Sequence, residues 1–236
     1  MLYRLVIQPN QKQDCSIDLN SEQQHYLFRV LRLSTGDRFI AMDGLGKSWI
    51  AQIEEESAKI REEIELATEL PASVTLISAL PKGSGYEQVI RCCTELGVST
   101  FSPVISDRTI LKPSSNKVQR WRKIATEAAE QSQRQIVPVI LDPISFNQAI
   151  AHTAESSSDK YICVARGDIP TLWNCLANRQ AKDIVIATGC EGGWTETEIE
   201  RAIYDRYLPV SLGDRILRAV TAPIAALSLI VATLEH

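Results

Sequence analysis

From Val74 onward, six short apolar runs alternate with stretches long enough for helices, and this alternation constrains the fold more than any other feature of the chain. The runs are Val74 to Leu80, Phe101 to Ile105, Val137 to Leu141, Tyr161 to Ala165, Ile184 to Thr188 and Leu208 to Leu212. Strand and helix in strict alternation give an α/β architecture with a mostly parallel sheet, because parallel neighbours need long crossovers and helices supply them. Residues 1 to 70 read differently. Leu2 to Ile7, Arg38 to Met42, Trp49 to Ile53 and Lys59 to Leu66 are short, partly alternating strands separated by Asp, Gly and Ser turns, which predicts a small barrel or sheet. His25 to Leu33 between them has helical spacing. Pro71 stands where the pattern changes, so the expected domains are 1–70 and 73–236.

Local chemistry places several helix ends. Val89, Ile90, Cys93 and Leu96 form one apolar stripe, and Gly97 follows as a stop. Thr195 and Glu198 make a T-x-x-E capping box. Asp214 is the expected cap of the last helix, whose Ile216, Leu217, Val220, Ile224, Leu227 and Ile230 supply an apolar face for burial, within the chain or against a second subunit.

Two glycine-bearing loops, Ile186 to Trp194 and Ser211 to Ala222, each follow an apolar run and precede a helical pattern. Strand-to-helix corners with flexible backbone and free N–H groups are where small anionic or polar ligands bind, and two such corners point to one pocket. Gly44-Leu-Gly-Lys-Ser48 imitates the end of a phosphate-binding loop, but Ala41 stands where the first glycine is required and Trp49 to Ile53 alternates like a strand. Asp43-Gly44 is therefore read as a hairpin turn. No G-x-G-x-x-G follows the first strand of the α/β region, which argues against a nucleotide-dependent dehydrogenase.

Composition narrows the class further. Hydrophobic residues make up 44% of the 236, enough for a substantial core. The six cysteines include no C-x-x-C pair and the histidines number three, so reduced thiols and no metal are expected. No apolar stretch has the form of a signal peptide or membrane span, and a cytoplasmic location is expected. The net charge of −4 argues weakly against nucleic acid, so local charge matters.

Five short motifs in register carry a resemblance: Phe28-Arg-Val-Leu-Arg32, Glu95-Leu-Gly-Val98, Ala128-Ala-Glu-Gln-Ser132 with Arg134, Gly189-Cys-Glu-Gly-Gly193 and Leu212-Gly-Asp-Arg-Ile-Leu-Arg218. Together they resemble the RsmE family of SPOUT-class methyltransferases, which use S-adenosylmethionine to methylate N3 of a uridine in small-subunit (16S) ribosomal RNA. The resemblance implies a PUA-like N-terminal β-barrel, a SPOUT-type parallel sheet with a C-terminal trefoil knot, and a homodimer with its active site at the subunit interface. It also implies that both glycine loops hold the cofactor, through Thr188, Gly189, Gly192 and Gly193 in the first and Leu212, Gly213, Ile216, Leu217 and Arg218 in the second. Ala165, with Arg166 and Gly167 beside it, is expected to add a third contact. The partner implied is small-subunit ribosomal RNA or the assembled 30S subunit.

Methyl transfer to N3 requires in-line alignment and stabilisation of charge spreading onto O2 and O4, a task suited to a permanently charged arginine. Arg218 is the first catalytic candidate and Arg134 the second, an ion pair or phosphate contact being an equal reading for Arg134. Glu191 is either a base or, as favoured here, a cap for backbone N–H groups in its own loop. Three departures from the family pattern stand out. Cys190 replaces a proline, Ala219-Val220 replaces Thr-Glu after Arg218, and Gln133 replaces a glycine. Arg29 and Arg32, three apart on a helical pattern, are read as a phosphate-binding pair, with Arg38 and Lys47 in the same domain. Arg108, Lys112, Lys117, Arg120, Arg122 and Lys123 form a second basic stretch that binds RNA or is a solvated helix face, with Trp121 in the core. The acidic run Glu54 to Glu56 with Glu62, Glu63 and Glu65 is expected to face away from RNA. A catalytically weak paralogue, a SPOUT enzyme for another nucleotide and a small-molecule enzyme are the rival readings.

Overall fold

The computed structural model describes residues 2–177 and 182–235. Its internal contacts divide the chain into two units, Met1–Glu69 with Ala129–Val137, and Leu70–Ala128 with Pro138–His236.

In the first unit, strands β1 (Arg4–Val6), β2 (Lys12–Gln13), β3 (Ser16–Asp18), β4 (Arg38–Met42), β5 (Ser48–Glu54) and β6 (Ser57–Ile64) make one sheet in the order β1-β4-β5-β6-β3-β2. The β1–β4 pair is parallel and every other pair antiparallel. Alternation puts Leu5, Ile17, Phe39, Trp49, Ala51 and Ile53 into one buried cluster with Leu27. The β4–β5 connection is a turn, as Asp43-Gly44 predicts. Asp43 Oδ1 accepts from the N–H groups of Leu45 and Lys47 at 2.8 and 3.0 Å. The short strands β2 and β3 are additions, since too few residues alternate there to signal a strand.

Helix α1 (Ser21–Gln24) opens with a reciprocal cap between Asn20 and Gln23 and passes into a π-helical stretch, His25–Val30. The stretch ends where the Leu31 N–H donates to the Tyr26 carbonyl at 2.9 Å, and Arg32 lies beyond it with φ +57°. Arg29 and Arg32 are both exposed, but the shared α-helical face expected from their spacing is not formed. The wider π turn and the left-handed backbone at Arg32 break the three-residue relation.

In the second unit, β7 (Val74–Ala79), α2 (Gly85–Glu95), β8 (Thr100–Ile105), α3 (Ser115–Gln131), β9 (Val139–Ile140), β10 (Ile144–Ser145), α4 (Phe146–Thr153), β11 (Asp159–Cys163), α5 (Leu172–Leu176), β12 (Ile184–Thr188), α6 (Glu196–Tyr204), β13 (Leu208–Val210) and α7 (Thr221–Leu234) follow in turn, with the last turn of α3 belonging to the first unit. The sheet order is β10-β8-β7-β12-β11-β13, with β9 also on β8, and all pairs are parallel. Central strands β7 and β12 are buried almost throughout, which is why they read as continuous apolar runs. The α2 stripe is buried through Val89, Ile90 and Cys93, and Gly97 ends it at φ +87°.

The last helix differs from its expected start. Residues 211–220 are a loop, and α7 begins at Thr221, where Thr221 and Ala222 both donate to the Arg218 carbonyl at 2.9 Å. Asp214 is exposed and does not cap it. Two contacts hold the loop out of helix. Ser211 Oγ accepts from the Gly213 N–H, with Gly213 at φ +110°, and Val220 packs so closely on Gly85 that a Cβ there would lie 2.8 Å from Val220 Cγ2. From Thr221 on, Pro223, Ala226, Leu227 and Ile230 are buried and the helix packs on α2, α5 and β12. Among the described residues no helix is long and apolar enough to cross a membrane, and no His/Cys/Asp/Glu cluster with metal-binding geometry occurs.

Candidate active site

The carboxyl ends of β11, β12 and β13 converge, and the segments leaving them wall a cavity of about 420 Å³, a size suited to a small organic ligand. This is where open α/β sheets bind ligands, beyond the strand ends and over exposed backbone. The first glycine loop contributes residues 189–194, the second contributes Leu212, Gly213, Arg215, Ile216, Leu217 and Ala219, and the end of β11 with the segment after it contributes 163–166. Ile199 of α6, Ala222 of α7 and Arg108 complete the wall. The lining is largely backbone and aliphatic side chains, with Arg108, Arg166, Arg215 and Glu191 as its charged members.

The first loop is held from several sides. Gly193 donates its N–H to the Cys190 carbonyl at 2.9 Å, closing a turn. Trp194 is buried and lies on Phe146 with ring centroids 4.3 Å apart. The expected capping box then starts α6. Thr195 Oγ1 accepts from the Glu198 N–H at 3.3 Å, and Glu198 Oε2 accepts from the Thr195 N–H at 2.8 Å. Glu198 is only 4% exposed, and its other oxygen, Oε1, accepts from the Asp107 N–H at 2.9 Å. Thr195 Oγ1 also lies 3.1 Å from Asp107 Oδ2, and Arg108 Nη1 donates to the carbonyls of Gly192 and Trp194 at 2.7 and 3.1 Å.

Of the residues expected at the site, Ala165, Gly189, Glu191, Gly192, Gly193, Leu212, Gly213, Ile216 and Leu217 line this one cavity. Thr188 does not. As the last residue of β12 it pairs in register with Ser78 and donates to Ser78 Oγ at 3.4 Å, fully buried. Arg218 is exposed and flanked by two lining residues, Leu217 and Ala219, without lining the cavity itself. Glu191 accepts a hydrogen bond from the Lys82 N–H at 3.0 Å, in the β7–α2 connection and not in its own loop.

Arg134 lies in the first unit, 3% exposed, with Nη2 2.7 Å from Glu69 Oε2. Glu69 Oε1 also accepts from the N–H groups of Gln135 and Ile136 at 3.0 and 3.1 Å. The ion pair allowed for in the second reading of Arg134 is present. The second basic stretch is also engaged locally. Lys117 donates to the Gly83 carbonyl, Arg120 pairs with Glu87 and Arg122 with Asp142, while Trp121 is fully buried against Tyr86. Cys190, Trp194, Arg215, Ala219 and Ala222 line the cavity as members of the two loops without having been singled out as contacts, whereas Cys163, Val164 and Ile199 were not assigned to the pocket. Only their nearness to the glycine loops and to the end of β11 could have marked them. Burial pushes the Cys163 thiol up to about 12, so it is protonated at neutral pH.

Comparison with known proteins agrees with this geometry. A family model described as an RNA methyltransferase domain matches residues 68–231, and one described as an RNA methyltransferase PUA domain matches residues 19–65. Ribosomal RNA small subunit methyltransferase E of Synechocystis is 49% identical over the whole of this chain and 79% of its own length. The protein of the same name from Bacillus subtilis is 34% identical, over 91% of this chain and 89% of its own. Among solved structures, the Neisseria gonorrhoeae ribosomal RNA small subunit methyltransferase E, bound to S-adenosyl methionine, superposes with a TM-score of 0.87 at 31% identity, covering 97% of this chain and 96% of that one. A putative methyltransferase of Legionella pneumophila in complex with the same cofactor gives 0.85 at 28% identity, with 98% of both chains covered. With a PUA-like unit of mostly antiparallel strands, a parallel α/β unit and two glycine loops at its strand ends, the chain belongs to the ribosomal RNA small subunit methyltransferase E family.

Proposed function

We propose that this protein is an S-adenosylmethionine-dependent methyltransferase that modifies N3 of one uridine in small-subunit ribosomal RNA. The carrying observation is the single cavity in which both glycine loops and the segment after β11 meet. Its residues fit the cofactor. Lining backbone along 189–193 and 212–213 suits the polar edge of an adenosine, Val164, Leu212, Ile216 and Leu217 suit its apolar faces, and Arg166, Arg215 and Glu191 offer charge of both signs to an amino-acid group. When bound, the cofactor supplies an electrophilic methyl on a sulfonium.

The chain's own part is alignment and charge stabilisation. The new bond is N3–C, the broken bond is C–S, the sulfonium becomes a thioether, and the N3 proton leaves to solvent. Arg218 is the guanidinium we assign to the charge developing on O2 and O4. Its carbonyl is anchored by Thr221 and Ala222, and its neighbours Leu217 and Ala219 line the cavity. Arg134 is assigned to the Glu69 ion pair and Glu191 to its cap on Lys82. The unit of residues 1–69 and 129–137 is assigned to RNA binding through Arg29 and Arg32, both exposed. The C-terminal loops are assigned a trefoil knot, the assembly a homodimer, and the location the cytoplasm, each by the family resemblance.

The test is transfer of labelled methyl to small ribosomal subunits lacking the modification, with nucleoside mass spectrometry. 3-Methyluridine at a single site is the expected product, and its absence despite cofactor binding would refute the assignment. Naked ribosomal RNA in parallel distinguishes the two substrate forms.

A further inference from the structure

We infer that Arg108 is a positioning residue for the first glycine loop, governing cofactor affinity and not RNA contact; this rests on the function proposed above. The turn Ser106–Thr109 after β8 is rigid on its own account. Thr109 donates its N–H to the Ser106 carbonyl at 3.0 Å, Ser106 donates its N–H to Thr109 Oγ1 at 3.1 Å, and the two hydroxyls lie 2.8 Å apart. From this base Arg108 Nη1 reaches 84 residues along the chain to the Gly192 carbonyl and also takes that of Trp194.

The two peptides so held are pinned at both ends. Gly192 O and Gly193 N belong to one trans peptide, with the carbonyl on Arg108 and the N–H on Cys190 O. Trp194 O and Thr195 N belong to another, with the carbonyl on Arg108 and the N–H on Glu198. The arginine stem lies against the same glycine, so that a Cβ at Gly192 would come within 3.0 Å of Arg108 Cβ and 3.1 Å of Cδ. A permanently charged donor on two carbonyls is stronger than neutral bonds would be and holds the loop in one shape before any ligand arrives. Preorganisation of this kind appears as affinity, because the ordering cost is removed from the binding step.

The experiment uses the full chain with Arg108→Ala, Arg108→Lys and Gly192→Ala, the last displacing the arginine stem while keeping its charge. Calorimetry with S-adenosylhomocysteine should show Arg108→Ala binding about tenfold more weakly. In methyl transfer, KM for the cofactor should rise by a similar factor while kcat and KM for RNA change less than about twofold. Arg108→Lys should recover part of the loss, since an ammonium reaches a carbonyl but lacks the rigid fork. Gly192→Ala should resemble Arg108→Ala. Amide exchange over 189–195 in cofactor-free protein should be faster in Arg108→Ala, a readout that stands even if the wild-type chain binds no cofactor and the functional reading fails. Unchanged cofactor affinity with raised KM for RNA would identify a phosphate contact and overturn the inference. Unchanged exchange would overturn it as well.

Discussion

Glu198→Gln tests whether the cavity's support depends on a group that only accepts hydrogen bonds. The wild-type carboxylate uses both oxygens as acceptors, Oε2 from the Thr195 N–H at 2.8 Å and Oε1 from the Asp107 N–H at 2.9 Å. Glutamine has nearly the same shape but offers one acceptor and one NH2, so whichever way it is turned one backbone N–H faces a donor. With Glu198 4% exposed, water has little access to rescue that N–H. An orphaned buried donor costs about 1–3 kcal/mol, so Glu198→Gln should lose about 2 kcal/mol, and Glu198→Ala, which orphans both N–H groups while the Thr195 hydroxyl still caps residue 198, about 3–5 kcal/mol. In a chain of this size the glutamine variant should melt about 4–8 °C lower. Urea unfolding followed by tryptophan fluorescence, with Trp194 buried beside the loop, measures the difference directly. A glutamine variant within about 0.5 kcal/mol of wild type, or one less stable than the alanine variant, would refute the reasoning.

Gly97→Ala should destabilise the second unit by about 2–4 kcal/mol, because φ is +87° and the added Cβ would sit 2.8 Å from Leu70 Cδ1 and Cγ; equilibrium urea unfolding measures it. Tyr207 is buried, which raises its hydroxyl from 10 to about 12, with the bond to Thr153 acting the other way and Asp205 adding to the rise. The unfolded chain therefore releases this proton first. Stability from this group is intact below about pH 10 and falls by about 1.4 kcal/mol per pH unit toward 12, so the urea midpoint of Tyr207→Phe should fall less steeply over that range than the wild type's. Cys163 carries its proton up to about 12, so iodoacetamide at pH 8 should modify the exposed Cys15 well before Cys163, as peptide mass spectrometry would show. Equal rates would mean that the cavity wall around Cys163 opens readily.

The features legible in the sequence are those written by near neighbours. The period of apolar residues located β7, β8, β11 and β12 within a residue or two, because burial on both faces demands it. Thr195 with Glu198, Asp43 with Gly44, and Gly97 after the α2 stripe were readable because each motif closes its hydrogen bonds or its backbone turn within a few residues. The two glycine loops marked the cavity for the same reason.

Tertiary structure decided whatever joins residues far apart in the chain. Arg108 on Gly192, Glu191 on Lys82, Glu198 on Asp107 and Arg134 on Glu69 span 84, 109, 91 and 65 residues. No spacing rule encodes such pairs, because they exist only once the sheet order has brought the strand ends together. The same holds for residues 211–220. Their apolar pattern favours helix locally, but Gly213 and the close seat of Val220 on Gly85 keep them in a loop, and that loop forms one wall of the cavity.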